Sequence, residues 1–260
     1  HNTGATYAIS LSGSTSITAG TGVTLESLND NTGTIALLSS GGIDGGSGTV
    51  LMRAANYAFG GADRTITTTG VLTIEPDADE NSFASSFDNQ YLNPVSVTGL
   101  TLGKSSNASA ITLSRAISLS GPVSIYGGSI DVNANITANS GNILLDADTG
   151  STLNQSSTGI LLDDVITIET VTSGNLTLIG RSGDTGSGFD GIDASSANTT
   201  TLRSAGNLTL QGYSYAASGS GRGVDLNNDV IAASGTVSMS GQHNTGATYA
   251  ISLSGSTSIT

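Results

Sequence analysis

Two pairs of carboxylates stand two residues apart, Asp77 with Asp79 and Asp146 with Asp148. Calcium takes clustered carboxylate oxygens, and a D-x-D pair is the start of such a set. A calcium shell needs roughly six to eight oxygens, and neither pair stands in a motif that supplies the remainder. Solvated surface acids explain both pairs better than metal sites. Calcium is the one cofactor they could serve, and no other cofactor is expected. Proton-transfer chemistry needs an acid and a base held together, commonly carboxylates with His, Lys or Arg. The basic residues Arg53, Arg64, Lys104, Arg115, Arg181, Arg203 and Arg222 are scattered, and the two histidines, His1 and His243, are one position of a repeat seen twice. No acid/base set is legible, so the chain is not expected to be an enzyme.

The remaining chemistry is contact chemistry. Residues 75–94 read EPDADENSFASSFDNQYLNP, with two of the three prolines and five acidic residues. Phe83, Phe87 and Tyr91 are four apart, so a short helical turn would place them on one face. Two readings follow. The segment is an irregular loop that folds its rings over the wall beneath it, or the rings form a lateral docking patch for a neighbouring fibre.

The elements that carry these residues are short strands. Gly-led runs with apolar residues two apart recur along the chain: TGVTL, GTVLM, GVLTI, TGLTL, GPVSI, GNILL, GNLTL, GNLTL and GTVSM. Alternation of apolar with small polar residues is the period of a half-buried strand, and no stretch shows a capped helical period. The first inward residues are Val23, Val50, Leu72, Leu100, Val123, Ile143, Leu176, Leu208 and Val237. The steps between them run from 20 to 33 residues.

A longer period frames the shorter one. Residues 1–18 read HNTGATYAISLSGSTSIT, and residues 243–260 read the same, an offset of 242. With the step from Val237 to the next copy of Val23, nine steps of about 27 residues close that offset. A sandwich does not repeat one strand type at one-turn spacing. The expected fold is an all-β, right-handed parallel β-helix (β-solenoid) with about nine turns per 242-residue unit and three short strands per turn. Residues 1–242 are read as one complete unit, with 75–94 as an irregular insertion, and 243–260 as the start of the next. Asn, Ser and Thr at the corners should pair up and down the stack. Asn175 and Asn207, in the two GNLTL runs, are therefore expected to be ladder residues rather than sugar sites.

Composition limits the partners. The chain of 260 residues has 20 acidic and 7 basic residues, a net charge of −13, and no cysteine. Nucleic acid is not an expected partner at this charge. No run of 18 apolar residues exists, so no membrane insertion is expected. Disulfides and thiolate metal sites are excluded. The expected partner is the chain itself, by end-to-end continuation and by lateral packing.

The chain resembles the filamentous haemagglutinin-like proteins, giant β-helical surface proteins of Gram-negative bacteria. The resemblance lies in runs such as SNASAITLSRAISLSGPVSIYGGSIDVNANITANSGNILLDADTG (105–150) and SGNLTLIGRSGDTGSGFDGID (173–193). It implies an extracellular, cell-surface location. It also implies a structural role as filament, sheath or matrix scaffold, with the rigid shaft of a secreted adhesin as the alternative.

Overall fold

The computed structural model describes residues 7–27, 32–38, 42–60, 63–77, 80–147, 157–194, 198–243 and 249–260. Among these residues there is no helix, and every strand pairing is parallel. The chain coils through three walls in rotation. Strands Ile9–Leu11, Ile17–Thr18 and Val23–Glu26 start the first, second and third walls, and the cycle then repeats. The fold is a parallel β-helix.

The third wall is one unbroken sheet of nine strands, from Val23–Glu26 to Val237–His243. Its register is the one that the sequence spacing implies. Val23, Val50, Leu72, Leu100, Val123, Ile143, Leu176, Leu208 and Val237 pair successively in a single column. Each strand turns a second inward residue beside the first, such as Met52, Ile74, Leu102, Ile125 and Leu145, all fully buried. Parallel strands stack about 4.8 Å apart, so nine strands span roughly 38 Å along the axis.

Corners are set by close approach. The glycine that leads each third-wall strand lies against the backbone of an adjacent turn. A Cβ on Gly48 would sit 1.7 Å from the Thr21 carbonyl oxygen, and one on Gly174 would sit 1.9 Å from that of Gly141. Gly174 also has φ +112°, a conformation that side chains rarely adopt. The residue after the glycine then ties the turns together. The Asn175 N–H donates to Asn142 Oδ1 at 2.8 Å, the Asn207 N–H to Asn175 Oδ1 at 2.8 Å, and the Thr236 N–H to Asn207 Oδ1 at 2.9 Å. Asn175 and Asn207 are ladder residues. Replacing Asn175 with Ala removes an acceptor from this exposed ladder, so the expected cost is about 1 kcal/mol, read as a lower denaturation midpoint.

The first and second walls are each broken once, around residues 75–94. The first wall divides into sheets of three and seven strands, with Asn56–Phe59 and Phe87–Asp88 at the break. The second divides into four and six, with Leu92–Val95 and Ile117–Leu119 at the break. Pro94 accounts for the second break, because a proline has no amide to donate to a further strand and belongs at a sheet edge. Asn89 spans the gap with its side chain, donating Nδ2 to the Arg115 carbonyl and accepting the Arg115 N–H, both at 2.9 Å. The segment read as one irregular insertion thus contains two short strands and supplies a turn of the coil.

Candidate functional site

Asp77 and Asp146, the described members of the D-x-D pairs, do not come together. Asp77 is buried, and its backbone carbonyl accepts a hydrogen bond from Lys104 Nζ at 3.1 Å. Asp146 lies on the third wall and pairs with Arg181 at 2.9 Å, while burial pushes its carboxyl up from the ordinary value. The strand ending at Glu75 and the strand of Asp146 are three turns apart, roughly 14 Å along the axis. Asp79 and Asp148 lie outside the described residues. Arg181 is also stacked on its register partner Tyr213, 5.6 Å from the ring centre, so Asp146 belongs to an ion pair with a cation–π neighbour.

Of the two readings of this segment, rings folded over the wall or rings presented for docking, Phe83 and Phe87 follow the first and are turned inward. Phe83 and Phe87 are each 4% exposed, with ring centroids 5.5 Å apart. They meet Tyr57 and Phe59 edge-on at 5.7–5.9 Å. Phe87 is in a strand, and no helical turn forms. The physical reason is the break in the first wall. Because Asn56–Phe59 and Phe87–Asp88, the first-wall strands of successive turns, do not pair, the apolar surface between them must be covered by side chains, and rings cover most area per residue. The Tyr57 hydroxyl lies 2.8 Å from the carbonyl oxygens of Met52 and Glu75, and its single proton is shared between these two acceptors. The plug leaves a notch of about 30 Å³, a water-sized space. Phe83 and Phe87 are therefore unavailable to a neighbouring fibre. Tyr91, half-buried, takes no part in the ring cluster.

Stacking assembles an acidic cluster that sequence reading missed. Carboxylate oxygens of Asp190, Asp193 and Asp225 lie within 4.8 Å of one another. Asp193 and Asp225 are register partners on adjacent first-wall strands, Ile192–Ala194 and Val224–Asn227. Asp190 and Asp225 are buried, and Asp193 is half-buried. Arg222 relieves the repulsion in two ways: its backbone N–H donates to Asp190, and its guanidinium pairs with Asp225. Burial, with the neighbouring carboxylates adding to it, pushes Asp190 up to about 7. The available signal was the pair GID (191–193) and GVD (223–225), 32 residues or one turn apart. Nearby, the fully buried Asp229 accepts N–H bonds from Thr200 at 2.9 Å and Asn227 at 2.8 Å, and burial pushes it up to about 6.

These two groups hold their protons more tightly folded than unfolded. Their contribution to stability is complete below the ordinary carboxylate value and is lost as pH rises through about 6 and then 7. The melting midpoint is expected to fall between pH 5 and pH 8. Asp190→Asn should flatten the upper part of that fall, and an unchanged profile in this variant would show that Asp190 does not carry it.

The remaining distinctive surfaces are the two ends of the coil. Ile9–Leu11 and Ile251–Ser254 are copies of one sequence, and both form first-wall strands, nine turns apart. Ile17–Thr18 and Ser258–Ile259 hold the corresponding second-wall places. Among the described residues, the first and last strands of each wall are paired on one side only. Three of the seven large apolar side chains exposed among the described residues, Tyr249, Leu253 and Ile259, lie in the final turn. A shallow groove of about 350 Å³ also opens on the second wall over Glu169 and its register partner Arg203.

A parallel β-helix whose last described turn repeats the sequence and wall positions of its first is the class that this geometry defines. No family model matches the chain, and no curated protein or solved structure matches it. No helix among the described residues is long and apolar enough to cross a membrane.

Proposed function

We propose that this chain is a structural protein, a segment of a long extracellular β-solenoid fibre built from tandem 242-residue units. One observation carries the reading: the duplicated sequence returns to the same two walls after nine turns. A following unit can therefore extend all three walls without a change of register. The function is mechanical. Backbone hydrogen bonds along the axis and one continuous apolar core make a stiff rod, and neighbouring turns stabilise one another. A net charge of −13 keeps such rods from clumping side by side. Self-association is the partner chemistry that this reading requires.

The runner-up is an adhesin shaft with a distinct binding tip. Immunogold labelling of producing cells with antibody to this chain separates the two. A scaffold should label along the whole filament, whereas a shaft should leave an unlabelled tip. Absence of any labelled surface filament would contradict both.

A further inference from the structure

The two wall breaks fall on successive steps of the coil. Between the turn of Asn56–Phe59 and the turn of Phe87–Asp88, the second and third walls are paired and the first is not. At the next step the first and third walls are paired and the second is not. The third wall alone runs through both steps. Single hydrogen bonds stand in for the missing ladders. Across the first gap the Ala84 N–H donates to the Ala55 carbonyl at 2.8 Å, and Ser85 Oγ donates to Asn56 Oδ1 at 2.9 Å. Across the second, Asn89 holds the backbone of Arg115. Two neighbouring steps that each lack one wall are the weakest section of the stack, because opening is easiest where the fewest ladder bonds must break.

One contact spans both steps. Asp63 lies in the corner between Asn56–Phe59 and Arg64–Thr67. Arg115 lies in the same corner two turns on, between Ile111–Leu113 and Ile117–Leu119. Arg115 Nη1 donates to Asp63 Oδ1, and Nη2 donates to Asp63 Oδ2 at 2.9 Å. The pair thus bridges two strand spacings, roughly 9.6 Å. Arg53 with Glu26 and Glu75, and Arg181 with Asp146, join only neighbouring turns. The corner that Arg115 and Asp63 share is where the two broken walls meet, across the coil from the unbroken one. It therefore has the longest lever against a bend about the third wall. We propose that these two steps form a bending joint in the rod, with the third wall as its flexing strip and the Arg115–Asp63 pair as the latch that keeps it closed.

The chemistry of the latch suits a joint that opens and recloses. Two parallel N–H···O bonds hold the guanidinium and the carboxylate in one plane, so the pair resists twisting as well as parting. The Arg115 side chain is 29% exposed and that of Asp63 is 54% exposed. An ion pair this accessible holds weakly and is screened by dissolved salt, so it parts before any ladder does. When it parts, the corner opens and the rod folds over the third wall, where Val71–Glu75 and Gly99–Leu102 keep four residues paired. The joint is a property of the single chain and goes beyond the fibre reading without resting on it.

Distances between paired spin labels test it. The chain has no cysteine, so labels go only where cysteines are introduced. Thr67 and Thr167 lie on the second wall, on either side of the joint, and Thr73 and Thr177 lie on the third. Each pair is four strand steps apart, roughly 19 Å. In the full chain at low salt, T67C/T167C and T73C/T177C should each give one narrow distance. Adding Arg115→Ala should give T67C/T167C a second population longer by ~4.8 Å, one strand spacing, and should leave T73C/T177C in place. Salt at about 1 M, where the screening length is about 3 Å, should do the same with Arg115 intact. A second-wall distance that does not lengthen in Arg115→Ala overturns the latch. A third-wall distance that changes along with it overturns the joint, because a flexing strip keeps its own length. If Arg115→Ala does not fold, the salt comparison decides on the same two criteria.

Discussion

Replacing Ile125 with Asp is expected to dismantle the middle of the coil. Ile125 is fully buried in the inward column of the third wall, between Leu102 and Leu145. A carboxylate there has no cationic partner within the apolar stack, and an unpaired buried charge costs several kcal/mol at least. Because each turn is stabilised by its neighbours, the damage does not stay at one residue. The turns on either side lose the face they pack against, and one rod becomes two short ones. The control is the adjacent position. Ser124 points outward on the same strand, half-buried, with Thr101 and Leu144 as its neighbours. Ser124→Asp should change stability by no more than about 0.5 kcal/mol. Denaturation midpoint and limited proteolysis should therefore separate two substitutions one residue apart. Equal tolerance of both would mean that the third wall does not face an apolar core.

The second large effect concerns the aromatic plug. Phe83→Ala and Phe87→Ala are each expected to cost about 3–5 kcal/mol, the usual range for emptying a buried ring site. The rings stack on each other and meet Tyr57, so the double variant should cost less than the sum of the singles. Proteolysis should open first between Glu75 and Phe87, on the approach to the unpaired edge of the first wall. A docking patch would behave in the opposite way, with stability unchanged and lateral association reduced. Stability and association measured on one sample decide between them.

The third wall was legible residue by residue. Its nine inward anchors alternate with small polar residues, and each is led by the glycine that the corner demands, so period and register could be read together. The asparagine ladder was legible for the same reason, since its members follow those glycines at one-turn spacing. Residues 75–94 were not. Spacing of four among Phe83, Phe87 and Tyr91 suggests a helical face, but the local pattern does not disclose the broken wall that needs covering. The cluster of Asp190, Asp193 and Asp225 escaped because two of its members are a full turn apart in sequence. Only the exact loop lengths between turns bring them together. Charges on neighbouring turns become a site through register, and register is firm only where an apolar column sets it.

The axial repeat of the native filament tests the central claim most directly. Nine single-layer turns at about 4.8 Å give an expected unit repeat near 43 Å, with a strong 4.8 Å reflection along the fibre axis. A repeat far longer than this, or strands running parallel to the axis, would contradict a rod made by stacking these turns end to end.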